Sequence, residues 1–577
     1  MDQIKKIKIL NVPEYTGSLV SKDVKTSKIP PLGIAQITSY LRKKGYEIDQ
    51  DDLNIKIYHD LFYKKSKLDL SIINELQPVK KYILGKKDEK LKKITKKILQ
   101  KTNLNQVDMI CLSASYQDNL STLLSSLLIA KHLKSKYSVP IVLGGSISNL
   151  DEKTVIEFFS FAYHQKILDY LIIGPGEVPL YKLIQCLNQN KNLNNIPGLV
   201  YYQKDKLISQ NRHIEIFQQP DFSGLPLELY KHYPNCKTTK THQHKNILIL
   251  PFQLIHGCPN RCIFCGGSAQ RPPLKFMNPS QIVNNLKQLK QKYSTQYFFL
   301  LSSTINISKK FINELCDEII KQKLDILWSD CARFNNLDEQ TLKKMRSAGC
   351  IRLVYGLETA SPRMLKYIHK GTNVEQASKI LQLSSQAGIW NGLEIIAGLP
   401  TEKEKDIDYT LKFLKDNQAY IDDIYLNPYH MAQGSLLKKF PEKYGIKNIK
   451  RINLWGQPDQ SNFNRISQIY SYDEIYGHPW EEKKKQITYS YQKINECLKN
   501  KISHQLPPYD ILPFLFYSYK KLIKKSKVYD YLKKYITQKK INFSFSIQYL
   551  YDLSWVLKNK SKTYNNLIKL LKGKTSP

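Results

Sequence analysis

The stretch Ile247-Leu-Ile-Leu-Pro-Phe-Gln-Leu-Ile-His256-Gly-Cys258-Pro-Asn-Arg-Cys262-Ile-Phe-Cys265-Gly266-Gly267-Ser268 decides the fold. An apolar run (residues 247–254) gives way to three cysteines within eight residues, and the same kind of run then recurs at intervals. Residues 297–301, 326–329, 351–355, 393–397 and 423–426 are the further candidate strands, and each but the last is followed by a helical pattern. Six strand–helix units over residues 246–438 predict a partial barrel of parallel strands, with chemistry on the loops after them.

Upstream, residues 1–203 alternate in a similar way. Strands are expected at 7–12, 108–113, 140–143 and 170–173, with helices at 32–44 and 120–136. Such alternation predicts a doubly wound, Rossmann-like sheet whose ligands lie beyond the C-terminal strand ends. Here those ends read Ser113-Ala-Ser115, Gly144-Gly145 and Gly174-Pro-Gly176-Glu177. Residues 64–105, dense in Lys, read as an exposed helical insertion, residues 204–245 as a proline-broken connector, and residues 439–577 as a helical, Lys- and Tyr-rich C-terminal region. The fold class is therefore α/β.

Charge offers a rival reading. Lys plus Arg number 88 against 50 acidic residues, a net charge of +38 that would suit a polyanion. The excess is nearly all Lys and is spread along the whole chain. Nucleic-acid readers instead concentrate charge on one face and favour Arg forks. A solvated basic surface is the expectation, and a nucleic-acid-binding protein with a structural metal is the alternative from another class. No run is long and apolar enough to span a membrane, and the N-terminus lacks a signal peptide's apolar core, so a cytoplasmic location is expected.

Of the ten cysteines, seven stand singly. Three thiolates at Cys258, Cys262 and Cys265 can hold three irons of a cubane and leave the fourth open. A structural zinc site asks for four ligands, and only His256 lies near enough to be a fourth.

With these residues the sequence resembles the radical SAM enzymes. The resemblance implies a 4Fe-4S cluster on Cys258, Cys262 and Cys265 whose open iron takes S-adenosylmethionine. Phe264 matches the usual aromatic between the cysteines, and Gly266 and Gly267 would let the backbone approach the cosubstrate. Gly356-Leu-Glu358-Thr-Ala-Ser361 matches the segment after the fourth strand, making Glu358 a candidate cosubstrate contact. In Leu393-Glu-Ile-Ile396-Ala-Gly398-Leu-Pro400, Ile396 and Gly398 would flank adenine, and Arg333 would offer a guanidinium to the carboxylate or ribose. For Arg333 and Glu358 an ordinary ion pair at the barrel mouth is the plain alternative. After the second strand, Leu301-Ser-Ser-Thr304 replaces the acidic residue often found there.

The first 203 residues resemble the cobalamin-binding domain of one radical SAM branch through Pro30-Pro-Leu32-Gly33-Ile34, Asp52-Leu-Asn54, Gly144-Gly145 and Gly174-Pro-Gly176-Glu177, which makes Leu32, Gly33, Ser113, Ser115, Gly144, Gly145, Gly174, Gly176 and Glu177 the candidate corrin contacts. No histidine sits in the Asp-x-His-x-x-Gly context of mutase-type domains, so the resemblance implies cobalt without a protein imidazole. The implied function is a cobalamin-dependent methyltransferase. One S-adenosylmethionine would remethylate cobalamin, and a second would be cleaved reductively to start radical transfer to an unactivated carbon or phosphorus. Radical cyclisation or ring rearrangement without methyl transfer is the alternative within enzymes. A tRNA methylthiotransferase fits poorly, for want of a second cysteine cluster. The partners implied are a small-molecule or peptide substrate and a reductase or flavodoxin-type electron donor.

Overall fold

The computed structural model describes residues 3–13, 29–62, 70–74, 76–114, 120–145, 152–210, 214–231, 247–269, 273–451, 470–498, 515, 516 and 519. Ser115 and most of the region after residue 498 lie outside these residues.

The first unit runs β1 (Lys6–Asn11), α1 (Leu32–Lys43), β2 (Glu47–Asp52), α2 (Leu53–Phe62), α3 (Leu76–Ile83), α4 (Glu89–Leu99), β3 (Met109–Ala114), α5 (Leu120–Lys134), β4 (Ile141–Gly145), α6 (Glu152–His164), β5 (Tyr170–Ile172), α7 (Glu177–Asn188), β6 (Leu199–Gln203) and β7 (Lys206–Ser209). Its seven strands lie in the order 2-1-3-4-5-6-7. The pairs from β2 through β5 are parallel, whereas β5–β6 and β6–β7 are antiparallel. The order reverses between β1 and β3, which opens a crevice at their C-terminal ends.

Two features differ from the sequence reading. The sheet continues to Ser209, past the expected end at residue 203, because β6 and β7 form a hairpin. The insertion is helical, yet it is not simply exposed. Val79, Ile83, Leu91, Ile94, Ile98 and Leu99 are buried in one core with α5, leaving only the lysine face to solvent.

The second unit begins with β8 (Ile249–Phe252) and the short pair β9 (Ile255–His256) and β10 (Lys275–Phe276). It continues through α8 (Pro279–Tyr293), β11 (Tyr297–Leu300), α9 (Lys309–Lys321), β12 (Leu327–Ala332), α10 (Glu339–Ser347), β13 (Cys350–Glu358), α11 (Pro362–Tyr367), α12 (Val374–Gln386), β14 (Trp390–Ala397), α13 (Glu404–Asp416) and β15 (Asp423–Pro428). Strands β8, β11, β12, β13, β14 and β15 form one parallel sheet in sequence order, the partial barrel expected. Side-chain caps start its helices: Asn278 accepts from Ser280 N–H, Ser308 from Phe311, Asp338 from Thr341, and Asn373 from Glu375 and Gln376. Pro279 and Pro362 occupy first-turn positions where no donor is lost.

The C-terminal region is not wholly helical. After α14 (Leu436–Lys439) come the antiparallel strands β16 (Ile446–Arg451) and β17 (Tyr470–Glu474), and then α15 (Trp480–Leu498), which packs on α13, β14 and β15.

The two units share a hydrophobic core in which Ile34, Leu180, Phe222 and Leu250 take part. The connector carboxylate Asp221 fastens them. It accepts from Arg42 Nη1 on α1, and from Lys292 Nζ and the Tyr293 hydroxyl on α8, each at 2.8 Å.

Candidate functional site

The cysteine loop is built around Ile263, which no solvent reaches. Its N–H donates to Ile368 O (3.1 Å), and its carbonyl accepts from Leu437 N–H (3.1 Å). Ser268 turns inward: its hydroxyl donates to Cys265 O (2.8 Å) and accepts from Leu436 N–H (3.0 Å). Gly434 lies so close to Gly266 O that any side chain there would collide with it. Gly267 faces open space, and Gly266 has only Ala432 in ordinary contact. The interior therefore fixes Ile263, while Cys258 and Cys265 stay exposed and Cys262 is buried between them.

All three thiols are free. Burial pushes the Cys265 thiol up, as do the neighbouring Cys262 and Cys258 sulfurs, so the three are near enough to feel one another. Among the described residues no three His, Cys, Asp or Glu side chains converge on a single ion. A zinc ion would ask for that convergence, whereas a cubane spreads its thiolates over separate irons. The donor set fits the cluster. His256, the remaining candidate for a fourth ligand, lies 3.8 Å from Glu215 and packs on the Phe217 ring.

One residue that the sequence did not single out gathers three that it did. Lys370 Nζ donates to Glu358 Oε1 at 2.7 Å, with side chains only 6% and 7% exposed. Its carbonyl accepts from Arg333 Nη2, and its ammonium lies 5.9 Å from the centre of the Phe264 ring. Arg333 Nη1 reaches Cys262 Sγ at 3.4 Å. The buried ion pair is thus Glu358–Lys370, not Arg333–Glu358. Glu358 sits at a bulge in β13 with φ +70°, a strained conformation for a residue with a side chain. Gly356 leaves the room: a Cβ there would stand 2.7 Å from both Glu358 Oε1 and Lys370 Nζ.

The Ser302-Ser-Thr304 segment supplies structure where an acid was looked for. Thr304 donates to Asn306 Oδ1 (2.8 Å), and Asn306 brackets Arg333 by accepting from its N–H (3.0 Å) and donating to its carbonyl (2.8 Å). A second residue outside the sequence reading, Glu394 on β14, has its carboxyl pushed up to about 7 by burial and by Glu358, against the pull of Lys370 and Arg352. It is the only charged residue of its strand, which is the signal that could have found it. Ile396, two residues on, is half-buried, and Gly398 has φ +80°.

In the first unit, the expected residues gather at strand ends. Gly145 (φ +111°) has no room for a side chain against Ala114 O. Gly144 closes β4 beside it, half-buried Ser113 lies on the neighbouring β3, and Gly174 (φ +93°) follows β5. Gly176 caps α7, where a Cβ would strike Ile37 at 2.8 Å. Leu32 and Gly33 open α1, and Gly33 has empty space where a Cβ would stand. Burial raises the Glu177 carboxyl, and the charge of Glu215 adds to it. Glu215 is thus within electrostatic reach of Glu177 in the first unit and lies 3.8 Å from His256 beside the cysteine loop.

Residues 252–414 match the Radical SAM superfamily model. The barrel is a radical SAM domain, and the protein is an enzyme. Over 423 residues the chain is 24% identical to an uncharacterised methyltransferase of Pyrococcus horikoshii, covering 71% of this chain and 78% of that protein. It is 27% identical over 259 residues to an anaerobic magnesium-protoporphyrin IX monomethyl ester cyclase of Rubrivivax gelatinosus (43% of this chain, 45% of that one). In structure it resembles the radical S-adenosylmethionine methyltransferase TsrM from Kitasatospora setae, solved with cobalamin and a 4Fe-4S cluster, with a TM-score of 0.60 at 13% identity over 94% of this chain and 100% of that one. The described residues therefore have the fold of the cobalamin-dependent radical SAM enzymes. Among the described residues no helix is long and apolar enough to cross a membrane.

Proposed function

We propose that this enzyme is a cobalamin-dependent radical SAM methyltransferase acting on an unactivated carbon or phosphorus centre of a small molecule or peptide. One observation carries the reading. The three thiols of one loop have Arg333, Lys370 and Glu358 gathered beside them, and the first unit offers a glycine-lined crevice at its strand ends, so a reducing cluster and a methyl carrier would each have a seat on this chain. The bound groups would supply one-electron cleavage of S-adenosylmethionine and a transferable methyl group. The chain's own share is placement. Cys258, Cys262 and Cys265 hold the cluster, and Arg333 sets its guanidinium against Cys262. Lys370 neutralises Glu358, so that carboxylate is fixed before the cosubstrate arrives. Leu32, Gly33, Ser113, Ser115, Gly144, Gly145, Gly174, Gly176 and Glu177 would line the corrin site. An electron donor of the flavodoxin or reductase type and a cytoplasmic location belong to the same reading.

The test is anaerobic purification and reconstitution with iron, sulfide and hydroxocobalamin, beside the Cys262→Ala variant. A broad band near ~400 nm that the variant loses, with stoichiometric corrin in both, is the expected result. A cluster without corrin would sink the methyl transfer and favour the second reading, radical ring closure, which the cyclase relative supports.

A further inference from the structure

The segment Gly398-Leu-Pro-Thr-Glu402 after β14 is gripped by residues that come some 70 to 90 positions later (order of magnitude, read along the chain). Thr401 N–H donates to Glu474 Oε1 at 2.7 Å. Lys483 Nζ donates to Leu399 O at 2.7 Å and pairs with Glu474 at 2.8 Å. Gln486 Nε2 donates to Glu402 O. The Glu402 carboxylate accepts from Gly398 N–H (2.9 Å) and from the Ser490 hydroxyl (2.8 Å). Gly398 itself lies under α15, where a Cβ would come within 2.5 Å of Ile487 Cγ1 and 2.7 Å of its Cα.

The Lys483 and Glu474 side chains are 0% and 2% exposed. A helix that merely covered a barrel would do so more cheaply with apolar residues, since desolvating two charges costs about what their attraction returns. What this pair adds is direction. Both members end on backbone atoms of one short loop, at Leu399 O and Thr401 N–H, and so fix its path on both sides of Pro400.

We propose that Lys483 and Glu474 are positioning residues for the cosubstrate, holding through Leu399 and Thr401 the loop that sets Gly398 beside Ile396 at the end of β14, where the two would meet adenine. This rests on the radical SAM reading. It gives the C-terminal region a role: residues 470–498 complete the adenosyl end of the site from outside the barrel, while the cysteine loop serves the methionine end.

The experiment uses the full chain, reconstituted with iron and sulfide, and measures dissociation constants for S-adenosylmethionine and, separately, for L-methionine. In the Lys483→Met/Glu474→Leu variant both members of the pair leave together and both loop bonds are gone, while burial keeps the neighbouring Glu402 carboxyl protonated without Lys483. Cluster absorption should persist and the methionine affinity should stay within about twofold, while S-adenosylmethionine binds about tenfold more weakly. The Lys483→Met/Glu474→Gln variant keeps an acceptor for Thr401 N–H and should recover part of the loss. Unchanged S-adenosylmethionine affinity would overturn the proposal, as would equal losses for both ligands with a lower unfolding midpoint. A wild-type chain that holds its cluster yet binds no S-adenosylmethionine would sink the radical SAM reading and the positioning role with it. Should the variants fail to fold, hydrogen exchange on the wild type decides: amides of residues 399–402 and 483–490 gain protection together on adding S-adenosylmethionine, and independence of the two segments overturns the proposal.

Discussion

Single residues carry much of this site, and Lys370 is the plainest case. Among the described residues its ammonium is the one partner of the buried Glu358 carboxylate. Lys370→Met strands that charge and should cost about 3 kcal/mol in denaturant unfolding. Adding Glu358→Gln should recover most of that stability without recovering S-adenosylmethionine binding. Gly434 makes a second case, because Gly266 O fills the space where its side chain would stand. Gly434→Ala should push the cysteine loop outward and lower the iron bound per chain, with little change in the first unit's own unfolding. The sequence disclosed these two residues poorly, for a physical reason. The cysteines are legible because a cluster needs thiolates at close spacing, and Arg333 and Glu358 because they stand in recognisable segments. Lys370 follows a helix end in a lysine-rich chain, where one more lysine carries no signal until the fold buries it.

At the scale of elements, the loop between β14 and α13 sets a pH dependence. Burial raises the Glu402 carboxyl to about 7, although Lys483, Ser490 and the Gly398 N–H favour its charged form. Unfolding returns it to the ordinary range near ~4.3, so the folded state holds a proton between these values that the unfolded chain has released. Stability from this group is therefore complete below the ordinary carboxylate pKa and falls as pH rises through about 7. The loss is on the order of 3–4 kcal/mol. Glu402→Gln should flatten that part of the stability profile, measured by thermal unfolding from pH 5 to 8. Strands show why some elements were readable and others not. The six barrel strands are mostly apolar and covered by helices, so each contains a hydrophobic run. Strand β2 reads Glu-Ile-Asp-Gln-Asp-Asp, and its last three polar residues, Gln50, Asp51 and Asp52, are buried because partners meet them. Gln50 donates to the Asp221 and Ser223 carbonyls, and Asp51 pairs with Lys56. The β6–β7 hairpin turns at Lys204-Asp205 with φ +46° and +59°, lacking the Asn-Gly pair that usually announces such a turn.

For the molecule as a whole, the relation between the two units matters more than either unit. Asp221 is the polar clasp. Burial alone would raise its carboxyl, but donors from Lys292, Ser223, Arg42 and Tyr293 hold it well below the usual range. Its contribution is full above the ordinary carboxylate pKa near ~3.9 and is lost as pH falls below it. Asp221→Ala should cost on the order of 1–2 kcal/mol, since its cationic partners are partly solvated. It should also separate the melting of the two units in calorimetry. The sequence revealed both units, because each has its own alternation, but not the clasp between them. Asp221 lies in an irregular, proline-broken connector where no periodicity marks a residue.

The C-terminal grip on the 398–402 loop also bears on how the chain is made. The ribosome delivers the barrel strands in their spatial order, so the sheet can close as it emerges. The loop after β14 then waits for Ser490, roughly 90 residues later, which at about 5–20 residues per second is a pause of about 5–20 s. Through that interval the nascent barrel displays its strands with the 398–402 loop, separated from β8 in the sheet by β13, β12 and β11, still unsecured. Iron–sulfur loading during synthesis would therefore meet a site open on one side, and the arrival of α15 would be the event that shuts it.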